Sequence, residues 1–356
     1  MKTALVRAEA FCARFGLRVP ILLAPMAGVP APALSVAVGN AGGMGACGVL
    51  MMKPEEIIGW AKDVRAASNG AFQLNNWIPD PPPIRDAAQE ARVRDFLSGW
   101  GPSVPPEAGD AATPDFAAQC EAVLAAGPPV VSSIMGLYPP EFVAKLKARG
   151  IQWFATVSTV KEARAAEAAG ADAIVAQGSE AGGHRAAFEA STAERELVGL
   201  FALLPAIADA VRVPVIATGG VADARGVAAA LTLGASAVQI GSAFLRTPEA
   251  KIHPAWAEAL GRTTPEETMV SRVFSGRPGR SIATDYVRAA TAPDAPQPAP
   301  YPVQRGLTAP MRTDALKNGD LRRMQAWAGQ SAALAVAEPA ADMVARLWSG
   351  AEALLV

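Results

Sequence analysis

One histidine and one carboxylate lie in a glycine-rich stretch that follows a run of small and branched apolar residues. Residues 176–185 read AQGSEAGGHR and contain Glu180 and His184. The glycines interrupt regular structure and let main-chain amides approach a ligand closely. Histidine is the side chain best suited to moving protons near neutral pH, and the chain has only two. A loop histidine with a local hydrogen bond is the alternative, but the position at a strand end favours His184 as the catalytic residue.

Two further strand ends carry residues typical of an anion site. The seventh predicted strand is followed by Gly219 and Gly220, and the eighth by Gly241 and Ser242. Many barrels hold a phosphate at these two strand ends, on main-chain N–H groups and a helix N-terminus. Two tight turns that need positive φ would look similar, but their joint occurrence at this position favours a phosphate site.

Uncharged side chains at other strand ends suit a flat heterocycle. Asn75 and Gln177 are amides, which donate and accept hydrogen bonds at once, and Met26 could pack on the face of a ring. A phosphate on one side and amides on the other predict flavin mononucleotide (FMN) as the cofactor.

The elements that would position these residues alternate regularly. Short apolar runs followed by helical patterns predict a (β/α)8 TIM barrel. An open doubly wound sheet is the alternative, which we disfavour because no GxGxxG follows the first strand. The predicted strands are 21–24, 43–50, 72–75, 129–132, 153–156, 173–176, 214–218 and 237–240. The predicted helices between them are 32–40, 54–68, 84–97, 115–126, 140–149, 160–169, 197–210 and 222–233.

The loss of this alternation sets the predicted domain boundaries. Residues 1–250 form the barrel, and a proline-rich excursion at 78–114 crosses its mouth or is a partly disordered loop. Residues 251–330 form a smaller, mainly helical lid or substrate-binding subdomain, with helices at 253–260 and 316–336. Residues 331–356 form a C-terminal helix that packs back on the barrel.

Composition excludes several classes of function. The net charge is −1 with scattered basic residues, so we expect neither a nucleic-acid partner nor a membrane partner. The three cysteines are far apart without CxxC spacing, which predicts no disulfide framework, no metal site and a cytoplasmic location. The uncharged segment 21–38 is interrupted by prolines, which favours a strand, a turn and a helix over a membrane span.

Taken together, the motifs resemble those of the nitronate monooxygenase family, formerly the 2-nitropropane dioxygenases. The specific parts are APMAG, QGSEAGGHR, ATGG and QIGS, and the C-terminal YPVQRGLTAPMR and WAGQ resemble the class I branch. The resemblance covers most of the chain and implies a barrel with a smaller substrate domain. It implies that His184 is the active-site histidine and that Tyr301 and Trp327 line the substrate cavity. The cofactor contacts expected for non-covalent FMN are Ala24, Pro25, Met26, Asn75, Gln177, Gly182, Gly183, Gly219, Gly220, Gln239, Ile240, Gly241 and Ser242.

The resemblance implies oxidative denitrification of small alkyl nitronates, such as propionate 3-nitronate, by O2. The products would be a carbonyl compound and nitrite or nitrate. His184 would hold the nitro group, in protonated form or as a hydrogen-bond donor, or it would remove a proton from a neutral nitroalkane. Arg305 stands where the family pattern leads us to expect a second tyrosine, which predicts a cavity of different size or charge.

Other functions remain open at this point. One is an NAD(P)H-dependent FMN reductase that acts on quinones or on enoyl-acyl-carrier-protein, and another is a flavin-binding barrel without activity. As an enzyme, the chain would bind a small nitronate and react with O2. We expect it to be a monomer or a homodimer.

Overall fold

Eight parallel strands form a nearly closed barrel, as the sequence predicts. The computed structural model describes residues 2–29 and 31–356. Its strands are β1 (Ile21–Leu23), β2 (Gly45–Gly48), β3 (Phe72–Trp77), β4 (Val130–Ile134), β5 (Gln152–Val157), β6 (Ala173–Gln177), β7 (Gly183–His184), β8 (Val215–Thr218), β9 (Ala237–Ile240), β10 (Thr268–Ser271) and β11 (Gly279–Ile282). All the predicted barrel strands are present, and β7, β10 and β11 lie outside the barrel.

The barrel strands pair in the order β1-β9-β8-β6-β5-β4-β3-β2. A parallel bridge between Leu22 and Met44 joins β1 to the residue before β2 and brings the two edges together. The strands are short and nearly all of their residues are buried, as expected when helices cover the outside of a parallel sheet. Their carboxyl ends therefore meet at one mouth, where barrel enzymes place their active sites.

The predicted barrel helices are present with ends shifted by a few residues, and further helices lie outside the predicted set. In chain order, the described helices are α1 (Lys2–Phe15), α2 (Pro32–Asn40), α3 (Pro54–Ala67), α4 (Ala87–Ser98), α5 (Phe116–Ala126), α6 (Pro140–Ala148), α7 (Val160–Ala168), α8 (Leu200–Ala210), α9 (Ala224–Thr232), α10 (Pro254–Leu260), α11 (Asp285–Ala290), α12 (Val303–Leu307), α13 (Ala309–Asn318) and α14 (Ala340–Leu355). The C-terminal α14 packs mainly on α9 and α2, which places the end of the chain on the barrel.

Helix α1 closes the barrel at the end opposite the mouth. The rings of Phe11 and Phe15 lie 4.6 Å apart, and Phe15 meets Phe154 of β5 edge-on at 4.9 Å. Burial of each large apolar side chain contributes about 1.5–3 kcal/mol to stability. The closed end leaves the mouth as the open end of the barrel.

A small antiparallel sheet joins the barrel to the C-terminal subdomain. β10 pairs with β11, and β11 pairs with β7, so that Gly279 lies opposite His184. The sequence predicts only helices here because these strands are short and rich in glycine and polar residues. The Gly-rich stretch is therefore the edge strand of a sheet, and His184 is held by main-chain pairing.

The predicted helix at 316–336 is wrong. Helix α13 ends at Asn318, and Gly319 caps it in the left-handed conformation with φ of 64°. The chain then runs through a short 3-10 turn, and Trp327 forms an antiparallel bridge with Ser281. The apolar residues of this segment have helical spacing, but they lie on an irregular path across the barrel mouth.

The excursion after β3 is tied to the subdomain by a buried ion pair. Arg277 is 1% exposed, and its Nε and Nη2 donate to the Asp80 carboxylate at 2.7 and 2.5 Å. The same excursion contains α4 and a short 3-10 helix, so it is ordered. No helix of the described residues is both long and apolar enough to cross a membrane.

Candidate active site

A cavity of about 340 Å³ opens at the carboxyl ends of the barrel strands. The predicted site residues that line it are Ala24, Pro25, Met26, Asn75, Gln177, Gly182, Gly183, His184, Gly219, Gly220, Gln239, Gly241, Ser242, Tyr301 and Trp327. Ile240 is the exception, because its side chain is 1% exposed and packs in the core. Its carbonyl accepts a hydrogen bond from the amide of Ala24. Among the described residues, no aspartate or glutamate lines this cavity.

The side chain of Gln177 fixes the strand that carries His184. Its Nε2 donates to the carbonyl of His184 at 3.0 Å, and its Oε1 accepts from the amide of Ala186 at 2.9 Å. Both ends of the amide group are thus engaged across the glycine-rich turn. Gln177 borders the cavity, but its hydrogen bonds hold the histidine strand in place.

The imidazole of His184 is oriented by Ser275. Nε2 lies 2.8 Å from the Ser275 hydroxyl, which is also 3.2 Å from the carbonyl and 3.3 Å from the amide of Arg277. The hydroxyl has one proton: it accepts from Nε2–H when it donates to that carbonyl, and it donates to Nε2 in the other tautomer. In both cases the contact fixes the orientation of the ring.

The environment keeps this imidazole neutral. Burial lowers the pKa of His184 to about 3, and the positive charges of Arg277, Arg305 and Arg312 lower it further in the same direction. His184 lines the cavity and is partly exposed. Of the two forms expected from the sequence, the protonated one is therefore disfavoured, and the neutral form remains.

Aromatic side chains surround the imidazole. Trp77 meets His184 edge-on at 4.7 Å and stacks on Tyr301 at 4.9 Å, while Trp327 lies 4.8 Å from the imidazole on another side. The indole Nε1 of Trp77 and the hydroxyl of Tyr301 are buried without a partner in the described chain. Burial raises the pKa of Tyr301 to about 12, so the hydroxyl stays protonated and is a hydrogen-bond donor.

Two amides keep one polar atom each for a ligand. Asn75 donates from Nδ2 to Ser132 at 2.9 Å, which leaves its Oδ1 as an acceptor. Gln239 accepts from Gln73 at 3.1 Å, which leaves its Nε2 as a donor. Gln73 itself is fully buried and does not line the cavity. A free acceptor and a free donor at one barrel mouth suit the edge of a heterocycle with both functions.

Main-chain N–H groups form the other part of the cavity wall. In the part of the chain that the structure describes, the amides of Gly220, Gly241 and Ser242 have no acceptor. Gly220 has a φ of 73°, and a Cβ there would lie 3.3 Å from the Cβ of Glu180. A Cβ at Gly182 would lie only 2.5 Å from the amide of Gly329. Unpaired N–H groups beside glycines that admit no side chain make a concave site for an anion.

The family of the chain follows from comparison with known proteins. The model of the nitronate monooxygenase family matches residues 10–350. The chain belongs to this family. It is therefore an oxidoreductase, and the motif-based resemblance is confirmed.

Relatives match over nearly their whole length. The nitronate monooxygenase of Paraburkholderia phytofirmans is 38% identical over 338 residues, which cover 93% of this chain and 92% of the relative. That of Pseudomonas aeruginosa is 36% identical over 344 residues, which cover 95% and 98%.

Solved structures share the fold. Nitroalkane oxidase from Streptomyces ansochromogenes superposes with a TM-score of 0.86 at 35% identity and covers 96% of this chain and 98% of that one. FabK from Thermotoga maritima gives 0.72 at 26% identity, with 97% and 96% covered.

Some residues of this family member's site are not evident from its sequence. Ser275, Trp77 and Ser331 line the cavity but lie outside the glycine motifs that mark the strand ends. Arg312 lies within the C-terminal motif at 301–312 without a predicted role. The glycines at the strand ends indicate the barrel side of the cavity, whereas the subdomain contributes the opposite wall.

Proposed function

We propose that this chain uses FMN and O2 to oxidise small alkyl nitronates, releasing a carbonyl compound and nitrite or nitrate. The observation that carries the proposal is the position of His184: its imidazole borders the cavity, its pKa is lowered to about 3 by burial, and no carboxylate of the described residues lines the cavity. Propionate 3-nitronate is a substrate of the size we expect. Membership of the nitronate monooxygenase family supports the reaction class.

The residues present fit FMN. The amides of Gly220, Gly241 and Ser242 would hold its phosphate, and Asn75 and Gln239 would bind the edge of its ring with one acceptor and one donor. When bound, the flavin supplies the oxidation of the substrate carbon. The protein supplies the anion site, the orientation of the ring and a partly water-excluding aromatic wall.

The protonation state of His184 favours nitronates over neutral nitroalkanes. A base is most effective when its pKa is near the working pH, and a pKa lowered to about 3 makes His184 a weak base at neutral pH. A preformed nitronate is already deprotonated at carbon and needs no base. His184 would then offer no positive charge to the substrate. It would shape the cavity and accept a proton from neutral nitroalkanes, which would react more slowly.

Anaerobic reduction of the flavin tests the proposal. The purified protein is denatured to identify the released flavin, and the intact protein is mixed without O2 with butyl-1-nitronate, NADH or NADPH in a stopped-flow spectrometer. We expect the released flavin to be FMN. We also expect rapid loss of the absorbance at ~450 nm, which is typical of oxidised flavin, with the nitronate only. Bleaching by NADH or NADPH with no response to the nitronate would contradict the proposal and favour the reductase alternative.

A further inference from the structure

A buried glutamine lies behind one of the amides that line the barrel cavity. Gln73 of β3 is fully buried, and its Nε2 donates to Oε1 of Gln239 at 3.1 Å. Gln239 of β9 lines the cavity, whereas Gln73 does not. The two strands are not neighbours in the sheet. The contact therefore crosses the interior of the barrel and ties a cavity residue to a residue that is closed to ligands.

The carbonyl of Leu23 sets which end of the Gln73 amide faces Gln239. This carbonyl lies 3.5 Å from Nε2 of Gln73, so the two N–H bonds of that nitrogen are directed at Leu23 and at Gln239. In the reverse orientation, Oε1 of Gln73 would face the Leu23 carbonyl, and two acceptors would meet in the interior. Oε1 of Gln73 has no donor in the described part of the chain, so no second partner favours the reverse orientation.

The orientation of Gln73 decides which end of the Gln239 amide faces the cavity. The main-chain carbonyl of Gln239 accepts from the Thr218 hydroxyl at 2.8 Å, which anchors the residue. Its Oε1 is engaged by Gln73, and its Nε2 donates no hydrogen bond to the described residues. A donor therefore faces the cavity. With an apolar side chain at position 73, the Gln239 amide would be free to turn, and either end could face a ligand.

We propose that Gln73 is a positioning residue, which acts through Gln239 to raise the redox potential of the cofactor. The inference rests on the proposed function, because it requires FMN in the cavity. Reduction of a flavin places negative charge on the polar edge of its ring, and hydrogen bonds there tune its potential. A fixed donor at that edge stabilises the reduced ring more than the oxidised ring, and an acceptor does the opposite. By holding Nε2 of Gln239 toward the ring, Gln73 makes the flavin a stronger oxidant of the substrate.

A double-mutant cycle on the midpoint potential tests this inference. The potential of bound FMN is measured by anaerobic titration with reference dyes in the wild-type holoenzyme, Gln73→Met, Gln239→Met and the double variant. Loss of one hydrogen bond predicts about a 2- to 10-fold fall in the preference for reduced over oxidised FMN. This fall equals about 10 to 30 mV, at about 30 mV per tenfold change for a two-electron couple. We expect Gln73→Met to lower the potential by that amount and to have no further effect in the Gln239→Met background.

Ser133→Ala is the matched control. Ser133 lies on β4 beside β3 and is also fully buried, and its hydroxyl accepts from Nε1 of Trp153 at 3.1 Å. It does not line the cavity, so its loss removes a buried hydrogen bond without touching the proposed path, and we expect the wild-type potential. An unchanged potential in Gln73→Met, an equal fall in Ser133→Ala, or additive effects in the double variant would overturn the inference.

Gln73→Asn is the second variant, for the case that Gln73→Met does not retain flavin. Its amide is one methylene too short to reach Gln239, so the same fall in potential is expected, and a wild-type potential would contradict the inference. The outcomes also separate the two proposals. A wild type that binds no FMN refutes the proposed function, whereas a wild type with FMN whose potential is the same in the Gln73 variants refutes this inference alone.

Discussion

The Nε2 atom of His184 and the hydroxyl of Ser275 lie 2.8 Å apart, although the two residues are 91 positions apart in the chain. The contact exists because β11 pairs with β7 and brings the loop before β11 over the barrel mouth. It fixes the orientation of the His184 ring, and so it links the subdomain to the chemistry of the barrel.

Replacing Ser275 by alanine should change the orientation of the His184 ring and leave the cofactor bound. The variant loses one hydrogen bond, worth about 0.5–1.5 kcal/mol, or roughly 2- to 10-fold in rate if the bond positions the ring. We expect kcat to fall by that factor with unchanged FMN content, and the imidazole ¹⁵N shifts to show a mixture of tautomers. Ser349→Ala, on the exposed face of α14, is the control. Unaltered tautomer and kcat in Ser275→Ala would show that the ring is held by its aromatic neighbours.

His184→Asn should separate the two kinds of substrate. Asparagine cannot accept a proton, and general base catalysis contributes typically ~10²–10⁴-fold. Because a pKa lowered to about 3 makes His184 a weak base, we expect kcat/KM for neutral nitroalkanes to fall by no more than the lower end of that range, roughly 10²-fold. The kcat/KM for preformed nitronates should fall less, with full flavin occupancy measured by absorbance. His253→Asn is the matched control, because His253 caps α10 and does not line the cavity. Unchanged rates on both substrate forms would make His184 a structural residue.

The sequence predicts the barrel side of the site well, because that side depends on local signals. Glycines after β8 and β9 mark turns whose main chain approaches a ligand, and the apolar runs before them mark the strands. The opposite wall depends on contacts between distant segments. No local pattern reveals that Gly279 would pair with His184. The lowered pKa of the imidazole depends first on its burial and then on the charges of Arg277, Arg305 and Arg312, which come from distant segments.

The Gly220→Val variant tests the phosphate site. Valine at a φ of 73° is strained, by at least about 1–2 kcal/mol, and its side chain would press on Glu180 and displace the free amide. We expect FMN to be lost on purification or its Kd to rise at least about tenfold. Gly127→Val is the control with the same backbone strain, since Gly127 has a φ of 57° at the end of α5 and open space around it. Equal flavin content in the two variants would place the phosphate elsewhere.

The lowered pKa of His184 should make the protein less stable in acid. In the unfolded chain an imidazole binds a proton below about pH 6.5, whereas in the folded protein the pKa of His184 is lowered to about 3. Between those values the unfolded state binds more protons, so the free energy of unfolding falls as the pH falls from about 6.5 and is unaffected above it. The unfolded imidazole titrates between about pH 7 and pH 4.5. In this range we expect the Tm of the wild type to drop more steeply than the Tm of His184→Gln, which has no imidazole at this position to protonate. His253→Gln, which removes an imidazole that does not line the cavity, is the control. Parallel Tm curves for wild type and His184→Gln would show that His184 binds a proton in the folded protein as it does in the unfolded chain. The protonated form expected from the sequence would then be correct.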